Sequence, residues 1–130
     1  MYRAKILGTG HYLPPRILTN RDIEQMVETN DQWIVERTGI SERRIAAPEV
    51  ATSDLSVFAA KKALEMSGTD PKEIEMIIVA TVTPDHTMPN TACLVQVALG
   101  SGPCVAWDLS AACSGFVYAS SVAHQYIKTG

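Results

Sequence analysis

WDLSAACSGFVYAS, Trp107 to Ser120, passes from an apolar segment through a cluster of small residues into an amphipathic one. The pattern predicts a strand over Val105 to Leu109, a tight turn, and a helix that begins at about Cys113 or Ser114 and runs to Lys128. Phe116, Ala119, Val122, Ala123, Tyr126 and Ile127 give that helix its apolar side, and Gly130 lies beyond it. Upstream, Met76 to Val82 is a continuous run rich in β-branched residues. Such a run predicts a strand buried on both faces of a parallel sheet. Between these strands Asn90 is placed to cap a helix that ends at Leu99 and Gly100. Helix, strand, helix, strand, helix is the order of βαβ units, so the fold class is α/β.

Further out, Ser53 is placed to cap a longer helix to Met66, with Gly68 at its end and Leu55, Phe58, Ala59, Ala63 and Met66 as its stripe. Asp70-Pro71 opens a short helical turn, and Pro84 to Pro89 reads as a loop. Nearer the N-terminus, Ala4 to Gly8 reads as a short strand closed by Gly8 and Gly10. Thr19, with Asp22 three residues on, has the spacing of a capping box. A second helical stretch covers Asp31 to Arg37 and stops at Gly39.

Of 130 residues, 46% are apolar and 19% charged, which is a globular composition with enough chain for a core. The net charge of -3 gives no electrostatic footprint for nucleic acid. Arg37, Arg43 and Arg44 form a local basic cluster that suits one anionic partner. No run approaches a membrane span, and the N-terminus lacks the apolar stretch of a signal peptide. The expected location is cytoplasmic. Three cysteines, Cys93, Cys104 and Cys113, fit free thiols in a reducing compartment.

Cys113 has the surroundings of a nucleophile. A helix N-terminus offers the positive end of its dipole and unpaired amides, which favour thiolate and can hold an oxyanion. Ala111, Ala112, Ser114 and Gly115 leave room for a thioester to reach the sulfur. A Cys among Ala, Ser and Gly also reads as a small packed hydrophobe, and at this point both readings stand. For Cys93 and Cys104 packing is the better reading. No local base accompanies Cys113: His124, eleven residues along the same predicted helix, would lie about 16 Å away. His11 and His86 fall in predicted loops.

GTGHYLPPRILTNRDIEQMVETNDQWIVERTGISERRIA (Gly8 to Ala46), HTMPNTACLVQ (His86 to Gln96) and DLSAACSGF (Asp108 to Phe116) together resemble the β-ketoacyl-acyl-carrier-protein synthase III family, in family order. The resemblance implies a thiolase-like layered α-β-α-β-α fold, with residues 1–130 as the N-terminal part of a condensing-enzyme domain and the second half absent from the chain. It implies a condensing enzyme that initiates fatty-acid synthesis. An acyl group passes from acyl-CoA to Cys113, and malonyl-acyl-carrier protein then condenses with loss of carbon dioxide. Thr29, Trp33 and Arg37 match the family's coenzyme A mouth. Met88 matches a residue that closes the acyl pocket across a homodimer. The family's His and Asn lie in its second half and match nothing here, so the isolated chain is expected not to condense. No permanent cofactor and no metal are implied. A thiolase-fold acyltransferase of secondary metabolism, a non-catalytic binding module and a Cys hydrolase remain as rivals.

Overall fold

The computed structural model describes residues 3–130. The chain divides into two compact units, one formed by Leu13–Val50 and the other by the segment up to Tyr12 together with Ala51–Gly130.

In the Leu13–Val50 unit, strand β1 (Arg16–Thr19) leads directly into helix α1 (Asn20–Glu24). The expected capping box is present: the Asp22 amide donates to Thr19 Oγ1 at 3.2 Å, and the Thr19 amide donates to Asp22 Oδ2 at 2.8 Å. The Thr19 hydroxyl also donates to that carboxylate. This bond, then the Thr19 amide, hold the Asp22 carboxyl below its usual range against an opposing desolvation effect, with Arg16 adding least. The contribution of this contact is therefore complete above the ordinary carboxylate range and is lost as pH falls below it.

Helix α2 (Asp31–Thr38) starts at Asn30, whose side chain accepts from the Trp33 amide at 2.8 Å. It stops at Gly39, as the sequence predicts. Gly39 has φ of 70°, a left-handed cap that glycine adopts without penalty. Strand β2 (Glu42–Ile45) returns antiparallel to β1, with Arg16 opposite Ile45 and Thr19 opposite Glu42. The sequence pattern does not predict these two strands. Five of their eight residues are polar, and in neither RILT nor ERRI do apolar residues alternate as they do in a half-buried strand.

The second unit carries the α/β layering. Helix α3 (Thr52–Ser67) ends at the left-handed Gly68. Ser53 is not its cap. The cap position is Ala51, whose amide is held by Asp54 Oδ2 at 2.9 Å, while Ser53 donates its amide and hydroxyl to Asp85. The predicted stripe is partly displaced: Val57 is the buried residue, and Met66 is exposed. Residues 4–8 form no strand. Pairing requires a neighbouring strand, and this segment instead runs against α3. A Cβ on Gly8 would come 2.4 Å from the Ala63 carbonyl oxygen, and one on Gly10 would come 2.1 Å from that of Ala59. The two glycines are there for close approach to a helix backbone, not to close a strand.

Strand β3 (Met76–Ala80) pairs in parallel with β4 (Val105–Leu109), from Met76 opposite Val105 to Ala80 opposite Leu109. Helix α4 (Thr91–Leu99), which joins them, packs on both strands and on α3. Ala92 and Val95, almost fully buried, form its inner side. Helix α5 (Gly115–Thr129) packs against β3. Met76, Ile78 and Ala80 line the groove shared with α5, so by strand alternation Ile77 and Val79 point to the opposite face. The β3–α4–β4 unit and its parallel pairing are as predicted, although β3 ends at Ala80, short of Val82, and is half-buried, not enclosed.

Candidate functional site

The turn that carries Cys113 is made by two adjacent constraints. Gly115, the first residue of α5, is buried, and a Cβ there would lie 3.1 Å from the Ala80 Cβ, so the helix starts hard against the end of β3. The chain must then cover the distance from Leu109 to Gly115 in five residues. It does so with a single 3-10 turn over Ala112–Ser114, and Ala112 takes φ of 43°. Left-handed backbone at a residue with a Cβ costs about 1–3 kcal/mol and concentrates where a side chain must be held in place. The residues Ala111, Ala112 and Cys113 disclose only their small size in the sequence and no sign of the left-handed position.

Cys113 stands in this turn and is exposed, whereas Cys93 and Cys104 are half-buried. Cys93 is further engaged, its thiol donating to Asn90 Oδ1 at 3.2 Å. Two of the amides expected to be open at the helix N-terminus are not. Ser114 donates to the Ala111 carbonyl at 3.0 Å, and Gly115 donates to that of Ala112. His11, His86 and His124 are all exposed, the last on α5. Among the described residues, no group of three His, Cys, Asp or Glu side chains is placed to hold a metal ion, and no helix is long and apolar enough to cross a membrane.

Asp108 is a residue that sequence reasoning misses. From β4 its carboxylate accepts the Thr91 and Ala92 amides, both at 2.8 Å, and so caps α4 in place of Asn90, whose side chain makes no cap bond. Nothing local marks it, because donor and acceptor lie 17 and 16 residues apart. Both donors belong to residues with no exposed surface. Asp108→Ala is expected to cost about 1–3 kcal/mol by leaving them unpaired. The measurement is the urea midpoint, and an unchanged midpoint would show that α4 finds its cap elsewhere.

In the Leu13–Val50 unit, α2 presents Trp33, 52% exposed, and one turn later Arg37. The Arg37 guanidinium lies over the Trp33 ring, 4.8 Å from its centroid. This i, i+4 pair covers part of one indole face and keeps a positive charge beside it. Thr29 is half-buried just before the cap, and its Oγ1 is buried without a hydrogen-bond partner among the described residues. Met88 is 80% exposed in the Pro84–Pro89 loop, which Asp85 ties back to α3 through Ser53. Arg43 and Arg44 of the basic cluster lie on β2, where Arg44 pairs with Glu42 at 3.7 Å.

No family model matches the chain. Individual proteins match it closely. It is 59% identical over 127 residues to β-ketoacyl-[acyl-carrier-protein] synthase III 1 of Vibrio vulnificus (strain YJ016), covering 98% of this chain and 40% of that protein. Crystallographic 3-oxoacyl-[acyl-carrier-protein] synthase III from Aquifex aeolicus VF5 superimposes with a TM-score of 0.92 at 51% identity, over 97% of this chain and 41% of that one. The priming β-ketosynthase of the R1128 polyketide biosynthetic pathway superimposes with a TM-score of 0.90 at 37% identity, over 95% of this chain and 37% of that one.

The fold is thus that of the thiolase-like condensing enzymes. Within that class the chain belongs to the β-ketoacyl-acyl-carrier-protein synthase III family, and it spans about 40% of the length of the curated relatives it matches.

Proposed function

We propose that this chain contributes the acyl-accepting part of a condensing enzyme that initiates fatty-acid synthesis. The observation that carries the reading is the placement of Cys113: the exposed thiol of the three, in a strained turn at the head of α5. The Cys113 thiolate attacks the carbonyl of an acyl-CoA, a tetrahedral oxyanion forms, and coenzyme A leaves as the thiol once protonated. With the Ser114 and Gly115 amides already engaged, the donor offered to that oxyanion from this turn is the Cys113 amide. Malonyl-acyl-carrier protein then loses carbon dioxide, and its enolate carbon displaces Cys113 from the acyl group. A β-ketoacyl product results and the thiolate is regenerated. The residues at hand bear on the first half-reaction, the acylation of Cys113.

Trp33 and Arg37 hold the coenzyme A end of the donor, the indole offering a face to the adenine and the guanidinium a charge to phosphate. Thr29, whose Oγ1 has no hydrogen-bond partner among the described residues, serves the same coenzyme A mouth. Because Arg37 already lies over Trp33, an adenine takes the free indole face or displaces the guanidinium. Met88, exposed on its loop, serves the acyl pocket of a partner copy in a homodimer. The enzyme works in the cytoplasm with no resident cofactor, acyl-CoA being a substrate.

Incubation with acetyl-CoA followed by peptide mass spectrometry is the test. The expected acetyl adduct is on Cys113, and an adduct confined to Cys93 or Cys104 would overturn the assignment. Arg37→Ala is expected to raise KM for acyl-CoA about tenfold with little change in kcat, since it removes one charged contact to a remote group. A fall in kcat at constant KM would place Arg37 in the chemistry instead.

A second reading is an acyltransferase of secondary metabolism, favoured by the likeness to the R1128 priming ketosynthase. The same Cys serves both, and the acyl donors accepted by the protein separate them.

A further inference from the structure

The most enclosed polar side chain of the Leu13–Val50 unit is Asn20, 1% exposed. Its amide nitrogen donates to Asp31 Oδ1 at 2.7 Å and to the Ile40 carbonyl at 2.8 Å. Its amide oxygen accepts from the Arg43 guanidinium, and its backbone amide donates to the Ser41 carbonyl at 3.1 Å. These partners are not scattered. Asp31 is the first residue of α2, and Ile40 follows Gly39, the residue that ends it. Arg43 sits on β2, opposite Leu18 of β1. One buried amide therefore grips α2 at both ends and ties it to the hairpin.

We infer that Asn20 is the positioning residue of α2 and sets where the Trp33–Arg37 pair is presented to its ligand. The chemistry requires an amide. Two partners, a carboxylate and a carbonyl, demand donors, while the third, a guanidinium, demands an acceptor, and no other side chain of this length supplies both. Besides Asn20, the Glu24 carboxylate of α1 holds the start of α2, accepting the Asp31 amide at 2.6 Å, but it reaches only that end. Ile34 is its one buried residue, so the helix lacks a wide apolar stripe. The assignment of a ligand to α2 rests on the coenzyme A reading above, but the clamp itself does not.

Asn20→Asp keeps the size and the Arg43 contact while turning both donated bonds into oxygen–oxygen contacts. Amide hydrogen exchange is expected to quicken about ten- to a hundredfold across Ile34–Gly39, with α4 in the other unit unchanged. Exchange in α2 equal to wild type would overturn the clamp. If the variant loses the whole unit, a double variant combining Asn20→Asp with Asp31→Asn decides. There the two side chains exchange roles: the amide introduced on α2 donates to the carboxylate introduced on α1. Slow exchange in α2 is expected to return in large part; no recovery would overturn the inference.

Coenzyme A titration reads the positioning role. Asn20→Asp should weaken binding about tenfold or more, the double variant should recover it, and the alkylation rate of Cys113 should not move. Affinity unchanged in Asn20→Asp while Arg37→Ala loses it would overturn the positioning role. Affinity unchanged in Arg37→Ala would instead overturn the coenzyme A reading of α2, and the exchange result would still judge the clamp.

Discussion

Cys113→Ser is expected to abolish transfer of an acyl group from coenzyme A to the protein, a loss of about a thousandfold or more. A serine hydroxyl becomes nucleophilic only with a base beside it, and the turn supplies none. The histidines are exposed, and His124 lies about two and a half turns along α5 from the head of the helix. A thiol is partly ionised near neutral pH without help, so this position suits sulfur and not oxygen. The structure also ranks the three thiols. Cys113 is exposed, Cys104 is half-buried, and Cys93 is half-buried and engaged with Asn90. Iodoacetamide should therefore modify Cys113 first, with labelling followed by peptide mass spectrometry. Cys113→Ser retaining acylation, or Cys93 labelled ahead of Cys113, would return Cys113 to the role of a small packed residue.

What the sequence discloses of this arrangement follows the range of the interactions involved. Gly39, Gly68 and Gly100 all lie in left-handed backbone at helix ends, and each is legible because a glycine after a helical run is local punctuation. The Thr19–Asp22 box and Pro71 at the head of its turn are legible for the same reason. The β3–α4–β4 unit is legible because an apolar run of strand length has few other places to go.

Contacts across the chain are not written so plainly. Ser53 has the look of a helix cap, yet it answers Asp85, 32 residues on. Asp108 caps a helix that begins 17 residues before it. Gly8 and Gly10 are explained only by the α3 carbonyls they face. The candidate site divides the same way. The identity of Cys113 and the i, i+4 spacing of Trp33 and Arg37 are in the sequence. The left-handed Ala112, the engaged Ser114 and Gly115 amides and the Asn20 clamp belong to tertiary structure.

A polypeptide of these 130 residues is expected to self-associate. Along α5, Phe116 is 77% exposed, Val117 61%, Tyr118 55%, Tyr126 53% and Ile127 46%. Between that helix and β3 lies an open groove of about 1040 Å³, with Met76, Ile78 and Val105 in its wall. The largest apolar patch of an ordinary monomer is about 300–600 Å², and at roughly 25 cal/mol per Å² even half of such a patch removed from water is worth several kcal/mol. Only Gly115 of α5 is buried, so the helix is held through one end and one side while aromatic surface faces water. Light scattering after size exclusion should give a mass above the 14.1 kDa of one chain, rising with concentration. Phe116→Gln with Ile127→Gln should lower it, because the pair removes apolar surface without touching the Cys113 turn. A monodisperse single chain that melts cooperatively would show that the α5 face is stable in water as it stands.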